Sequence, residues 1–78
     1  MAPIREYRGL TSESLDALEQ AVRETRRIAL RRRGTEYVVV AVRLVTADSD
    51  EVLEGRLPMT GEVLSFRLRE LETFAVLP

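Results

Sequence analysis

The stretch RRIALRRRGTEYVVVAVRL, Arg26 to Leu44, decides the fold. Val38, Val39, Val40 and Val42 are β-branched and Tyr37 is aromatic, and such side chains suit a pleated, half-buried surface. The run from Tyr37 to Val42 is short, apolar and free of Gly and Pro, so it reads as a strand with both faces at least partly covered. Gly34-Thr35 just before it is a turn signal. Upstream, Ile28 and Leu30 alternate with Ala29 and Arg31. The simplest reading is a hairpin: strand Arg27–Arg33, turn at Gly34, strand Glu36–Val45. A rival reading continues the preceding helix through Arg33 and makes Gly34 its C′ residue. Ala, Leu and Arg favour the helix by propensity; the alternation of Ile28 and Leu30 with Arg31 and Arg33 favours the strand.

Working toward the N-terminus, Thr11 is a candidate N-cap, with Leu10 and Leu15 at the spacing of a hydrophobic staple. Glu13 and Asp16 lie in or near the first turn, where the helix dipole favours negative charge. Leu15, Leu18, Ala21 and Val22 form one apolar stripe, giving an amphipathic helix over about 11–26. Residues 1–10 read as an arm, with a short edge strand through Ile4 and Tyr7 as the alternative. Toward the C-terminus, Thr46–Asp50 is a turn rich in Asp and Ser. Glu51–Leu57 is a strand, Pro58–Gly61 a turn, and Glu62–Leu68 a strand with Leu64, Phe66 and Leu68 at period two. Arg69–Glu72 reads as a single helical turn, and Thr73–Leu77 as a closing strand. The expected architecture is α+β, mainly β: one helix leading a five-stranded, Sm- or SH3-like small β-barrel over 11–78.

Seventy-eight residues make one small domain. A chain of this size buries roughly 60% of its unfolded surface, so a partner surface would help it. The absence of Cys and His removes disulfides, the usual zinc ligands and the neutral-pH proton shuttle. No apolar run approaches membrane-spanning length. The expectation is a soluble cytoplasmic protein with no membrane contact, no metal and no cofactor. Asp48, Asp50 and Glu51 lack the glycine hinge and terminal glutamate of a calcium loop and read as a solvated turn.

Net charge is −1, unevenly placed. Residues 1–34 carry eight Arg against five acids, so +3; residues 35–78 carry four Arg against eight acids, so −4. All twelve basic residues are Arg, which the codon usage of a GC-rich genome explains by itself; the functional alternative is phosphate recognition, which uses the planar guanidinium fork.

Three stretches together resemble the WYL domain, a small Sm-like barrel led by a helix. AVRETRRIALRRRG, Ala21–Gly34, looks like that family's helix end followed by its first strand and turn. EVLEG, Glu51–Gly55, stands where the name-giving strand would be. FRLRELETFAVL, Phe66–Leu77, is similar to the closing strand, turn and strand. The likeness covers Leu15 to Leu77 and favours the strand reading of Arg27–Arg33. Three positions depart from the pattern. The Trp-Tyr-Leu tripeptide is Glu51-Val52-Leu53, the usual aromatic of the first strand is Arg32, and the usual basic residue of the closing turn is Glu70. The resemblance implies a barrel that binds nucleotide or single-stranded nucleic acid through basic side chains, here without the helix-turn-helix usually attached.

Two functional classes follow. Arg31, Arg32, Arg33, Arg56, Arg67 and Arg69 are the candidate phosphate-binding residues, and phosphate binding requires several of them to converge. Single-strand binders also present aromatic rings for stacking, and only Tyr7, Tyr37, Phe66 and Phe74 exist. The other class asks less: a non-enzymatic interaction module that forms a homo-oligomer or docks on a protein partner. Strand Tyr37–Val45 is apolar enough to supply such a surface. No catalytic constellation stands out, since no serine has an evident base and no carboxylate pair is singled out by spacing.

Overall fold

The computed structural model describes residues 4–78, so Met1 to Pro3 of the expected arm lie outside the described residues. The chain is α+β and mainly β: β1 (Glu6–Arg8), α1 (Ser12–Arg23), β2 (Arg27–Arg32), β3 (Thr35–Ala47), β4 (Asp50–Arg56), β5 (Val63–Arg67), a 3-10 turn (Leu68–Glu70) and β6 (Leu71–Val76).

Thr11 caps α1. Its hydroxyl accepts from the Ser14 N–H at 3.1 Å, and the Ser14 hydroxyl accepts from the Thr11 N–H at 2.8 Å. Two orphan backbone donors are thereby satisfied in a reciprocal capping box. Leu18 and Ala21 are fully buried on the apolar stripe, and Leu15 and Val22 pack at its margins.

The helix stops sooner than the expected residue 26 and does not continue to Gly34. Thr25 adopts φ 53°, the Arg26 N–H reaches the Ala21 carbonyl and the Thr25 N–H the Val22 carbonyl. That is a Schellman ending with a threonine at the position glycine usually takes. The strand reading of residues after Arg26 therefore holds, and β2 pairs antiparallel with β3 from Arg27↔Val40 to Arg32↔Thr35. Arg33 and Gly34 both take positive φ, 52° and 74°, which gives the two-residue turn whose twist matches a hairpin. Asp48 and Ser49, at φ 49° and 67°, repeat the arrangement between β3 and β4.

The sheet has six strands in the order β1-β6-β2-β3-β4-β5. Two corrections to the expected five-stranded barrel follow. Residues 6–8, within the stretch read as an arm, pair with β6 through Glu6↔Ala75, Tyr7↔Phe74 and Arg8↔Thr73. The sheet also curls without closing. β1 and β5 are the two edge strands, and no pairing joins them among the described residues. The curl comes from irregularities in register, with Val42 the extra residue of β3 opposite β4 and Glu72 that of β6 opposite Arg31/Arg32, where an extra residue bends and twists a strand.

The concave face carries Ile28 and Leu30, Val39 and Ala41, Leu53, Phe66 and Phe74, all buried. α1 packs across it against β3 and β6. Gly55 is required there: a Cβ would meet the Val39 Cγ2 at 2.5 Å. The convex face holds the alternate residues of each strand, and no element of the described residues covers it.

Candidate functional site

Strand parity separates the candidate arginines of β2. Counting from the buried pair Ile28 and Leu30, Arg32 points to the concave side, while Arg27 and Arg31 point to the convex side.

Arg32 is half-buried at the end of β2. Its guanidinium lies 4.7 Å from the Phe66 ring centre and 5.4 Å from that of Tyr37. It donates to the Ser65 carbonyl at 3.3 Å and to the Tyr37 hydroxyl at 3.5 Å. The Ser65 carbonyl is a group of the free edge. The bond from the Leu57 N–H to the Glu62 carbonyl fixes the β4–β5 phase, so Leu64 and Phe66 turn their backbone groups toward β4. Val63 and Ser65 turn theirs away from it. Arg32 thus bridges the seam beside β5 with a side chain where a closed barrel would have a strand.

On the outer side of this seam lies a cleft of about 570 Å³ lined by Arg32, Arg33 and Arg67, by Asp48, Glu54 and Glu70, and by Val45, Val52 and Ser65. Three arginines face three acids, and most are bonded to acids of the same surface. Arg33 reaches Glu70 at 3.5 Å. Asp50 takes both Arg69, at 3.2 Å, and Arg67, at 3.9 Å. Glu54 takes Arg43 at 2.6 Å, and that carboxylate raises the Arg43 pKa above its ordinary value by hydrogen bonding and charge. The cleft brings Arg32, Arg33 and Arg67 together, with Arg69 beside them, but it gathers no excess positive charge. Asp50 is occupied by these arginines and Glu51 by the Thr46 hydroxyl, and no metal-ligating cluster occurs among the described residues.

Arg31 and Arg56 are elsewhere. The register aligns Arg27, Val40, Arg56 and Val63 in one row across β2 to β5 of the convex face. The next row is Glu6, Ala75, Ala29 and Val38, and the one after is Arg8, Thr73, Arg31 and Glu36. Val38 is 45% exposed and Val63 52%. Arg27, Arg31 and Arg56 are exposed and take part in none of the salt bridges among the described residues. Neighbouring strands lie about 4.8 Å apart and residues rise about 3.3 Å along a strand. Arg27 therefore sits about 10 Å from Arg56 and about 13 Å from Arg31 at the backbone. Arg26, by contrast, pairs with Glu24 at 2.9 Å. Hydrogen bonds from Gln20 and then from Arg26 hold the Glu24 carboxyl below its ordinary value.

Arg27 is not one of the six candidate arginines and Val63 carries no sequence signal, whereas Val38 lies in the strand Tyr37–Val45 read as a partner surface. Strand parity carried the signal for the first, since Arg27, Ala29 and Arg31 must face opposite to Ile28 and Leu30. The four aromatic rings all pack against one another: Tyr7 stacks on Phe74 at 4.9 Å, and Tyr37 meets Phe66 edge-on at 5.2 Å.

No family model, no curated protein and no solved structure matches the chain. No helix of the described residues is long and apolar enough to cross a membrane.

Proposed function

We propose that the chain is a non-enzymatic interaction module that docks on another protein through the convex face of its sheet. The observation that carries this reading is the row-by-row placement of Val38, Val40 and Val63 among Arg27, Arg31 and Arg56, which form no salt bridge among the described residues. An apolar patch that the fold leaves open and rims with charge has the make-up of an interface. The cleft supports this reading by contrast. Its arginines hold the seam or neutralise acids, and the two shifted pKa values belong to exposed groups in ordinary ion pairs.

The reading of the chain as a nucleotide- or single-strand-binding barrel has one observation in its favour, the unpaired arginines. Against it stands the mutual packing of every ring, which leaves no stacking platform beside them. The curled sheet with a leading helix supports a remote likeness to the WYL domain as part of the same proposal.

The test is fluorescence anisotropy of a labelled single-stranded oligonucleotide at low and moderate salt, beside sedimentation of the protein over a range of concentrations. The interaction-module reading expects no oligonucleotide binding even at low salt. Binding that weakens steeply with salt and falls in Arg31→Ala would replace it with the phosphate-binding reading.

A further inference from the structure

Resting on that reading, we infer that the occupant of the convex face is an acidic, apolar segment of another protein rather than a second copy of this chain. Charge decides between them. A two-fold pairing of this face with itself would bring Arg27, Arg31 and Arg56 of one copy toward the same three arginines of the other. Like charges so juxtaposed are repelled, and electrostatic complementarity is what selects partners at such surfaces. Glu6 and Glu36 are the acids of these three rows. Glu6 is taken by Arg8 of the neighbouring row at 3.4 Å, so Glu36 alone is left to balance three arginines. A partner that brings carboxylates meets no such opposition.

The spacing of the patch describes the segment. Arg27 and Arg56 lie about 10 Å apart and Arg27 and Arg31 about 13 Å, which are three and four residues of extended chain. An extended segment laid along β2 with Glu or Asp at every fourth residue, and Val, Ile or Leu between them, keeps its acids on the one face that meets the sheet, over Arg27 and Arg31 and within side-chain reach of Arg56. Its apolar side chains then cover Val38, Val40 and Val63. The occupant is thus a protein segment whose acids are held by Arg27, Arg31 and Arg56.

The chain contains no cysteine, so Val38→Cys introduces a single thiol in the centre of the patch for an environment-sensitive fluorophore. Three titrations are then run on the labelled protein: a synthetic peptide with that acidic-apolar pattern, a single-stranded oligonucleotide, and the unlabelled protein itself. The expected result is a saturable blue shift with the peptide alone. Its midpoint rises about ten-fold between 50 and 300 mM NaCl, because exposed charge pairs are screened. The shift is absent in Arg27→Glu/Arg31→Glu/Arg56→Glu, a variant whose circular dichroism and melting temperature match the parent. A shift with the oligonucleotide alone overturns the partner assigned here and the protein-docking reading with it. A shift with the unlabelled protein alone overturns the acidic partner and leaves docking through this face standing. A peptide response that persists in the triple variant removes the arginines from the site. No shift in any titration overturns both proposals.

Discussion

Arg31 and Arg32 are neighbours in the chain and opposites in the molecule. Arg32 lies over Phe66 and bonds to the edge carbonyl of Ser65. Arg31 stands on the far side of the same strand, exposed, in none of the described salt bridges. The difference extends to two regions. At the seam, Arg33, Arg67 and Arg69 each meet a carboxylate; in the open rows of the convex face, Arg27, Arg31 and Arg56 form no ion pair among the described residues. Residue type alone did not separate a structural arginine from one available to a partner. For Arg31 and Arg32 strand parity did, because a one-residue step moves a side chain through the sheet.

The contrast can be broken hardest at the floor of the seam. Phe66 is fully buried, and Phe66→Ala removes both core volume and the ring beneath Arg32. The expected cost is about 3–5 kcal/mol, enough to leave a chain of this size largely unfolded by circular dichroism at 25 °C. Gly55→Ala comes next. Its new Cβ would fall 2.5 Å from Val39 Cγ2, and overpacking of this kind costs about 1–3 kcal/mol, read as a lower urea midpoint. A wild-type midpoint in that variant would show that the concave face yields more than this packing allows.

Charge reversal on the convex face is the complementary case. Each of Arg27→Glu, Arg31→Glu and Arg56→Glu should move the unfolding free energy by no more than about 0.5 kcal/mol, as exposed substitutions usually do. A large loss in any one of them would assign that arginine a folding role. The smallest effect is at Glu24. Its carboxyl is held below the ordinary value by Gln20 and Arg26. A depressed folded pKa gives stability that is present above the unfolded value and lost as pH falls through the folded one. Acid titration should therefore show a slightly smaller loss of stability below the ordinary glutamate range in Glu24→Gln than in the parent, measured by urea midpoints.

Much of the fold could be read from the residues. The N-cap at Thr11, the apolar stripe of α1, the turn at Gly34 and the strands on either side are local patterns, and local patterns are visible in sequence. The failures share a cause. β1 is three residues long, and only its pairing with β6, at the other end of the chain, makes it a strand. The helix ends on Thr25, a β-branched residue in a left-handed conformation that no propensity favours. The open sheet depends on the edge strands β1 and β5 not pairing, again a long-range matter.

The site was legible only in part. Arg32, Arg33, Arg67 and Arg69 gather as a group of arginines should, yet Asp50 and Glu70 neutralise three of them. Those acids come from other strands and turns. Arg27 lies in the basic cluster that opens at Arg26, and residue type does not tell which of the two pairs with Glu24. It is Arg26 that takes that partner.

The most direct test sets the two neighbours side by side. Arg31→Ala and Arg32→Ala are each measured for urea stability and, with the fluorophore at position 38, for binding of the acidic-apolar peptide. Arg32→Ala should lose about 1–2 kcal/mol, the worth of a partly desolvated cation on an aromatic face, with peptide affinity unchanged while the protein is folded. Arg31→Ala should keep its stability within about 0.5 kcal/mol and bind the peptide several-fold more weakly. The reverse result, a stable Arg32→Ala that no longer binds and an unstable Arg31→Ala that does, would contradict the division of the molecule into a closing seam and a working face.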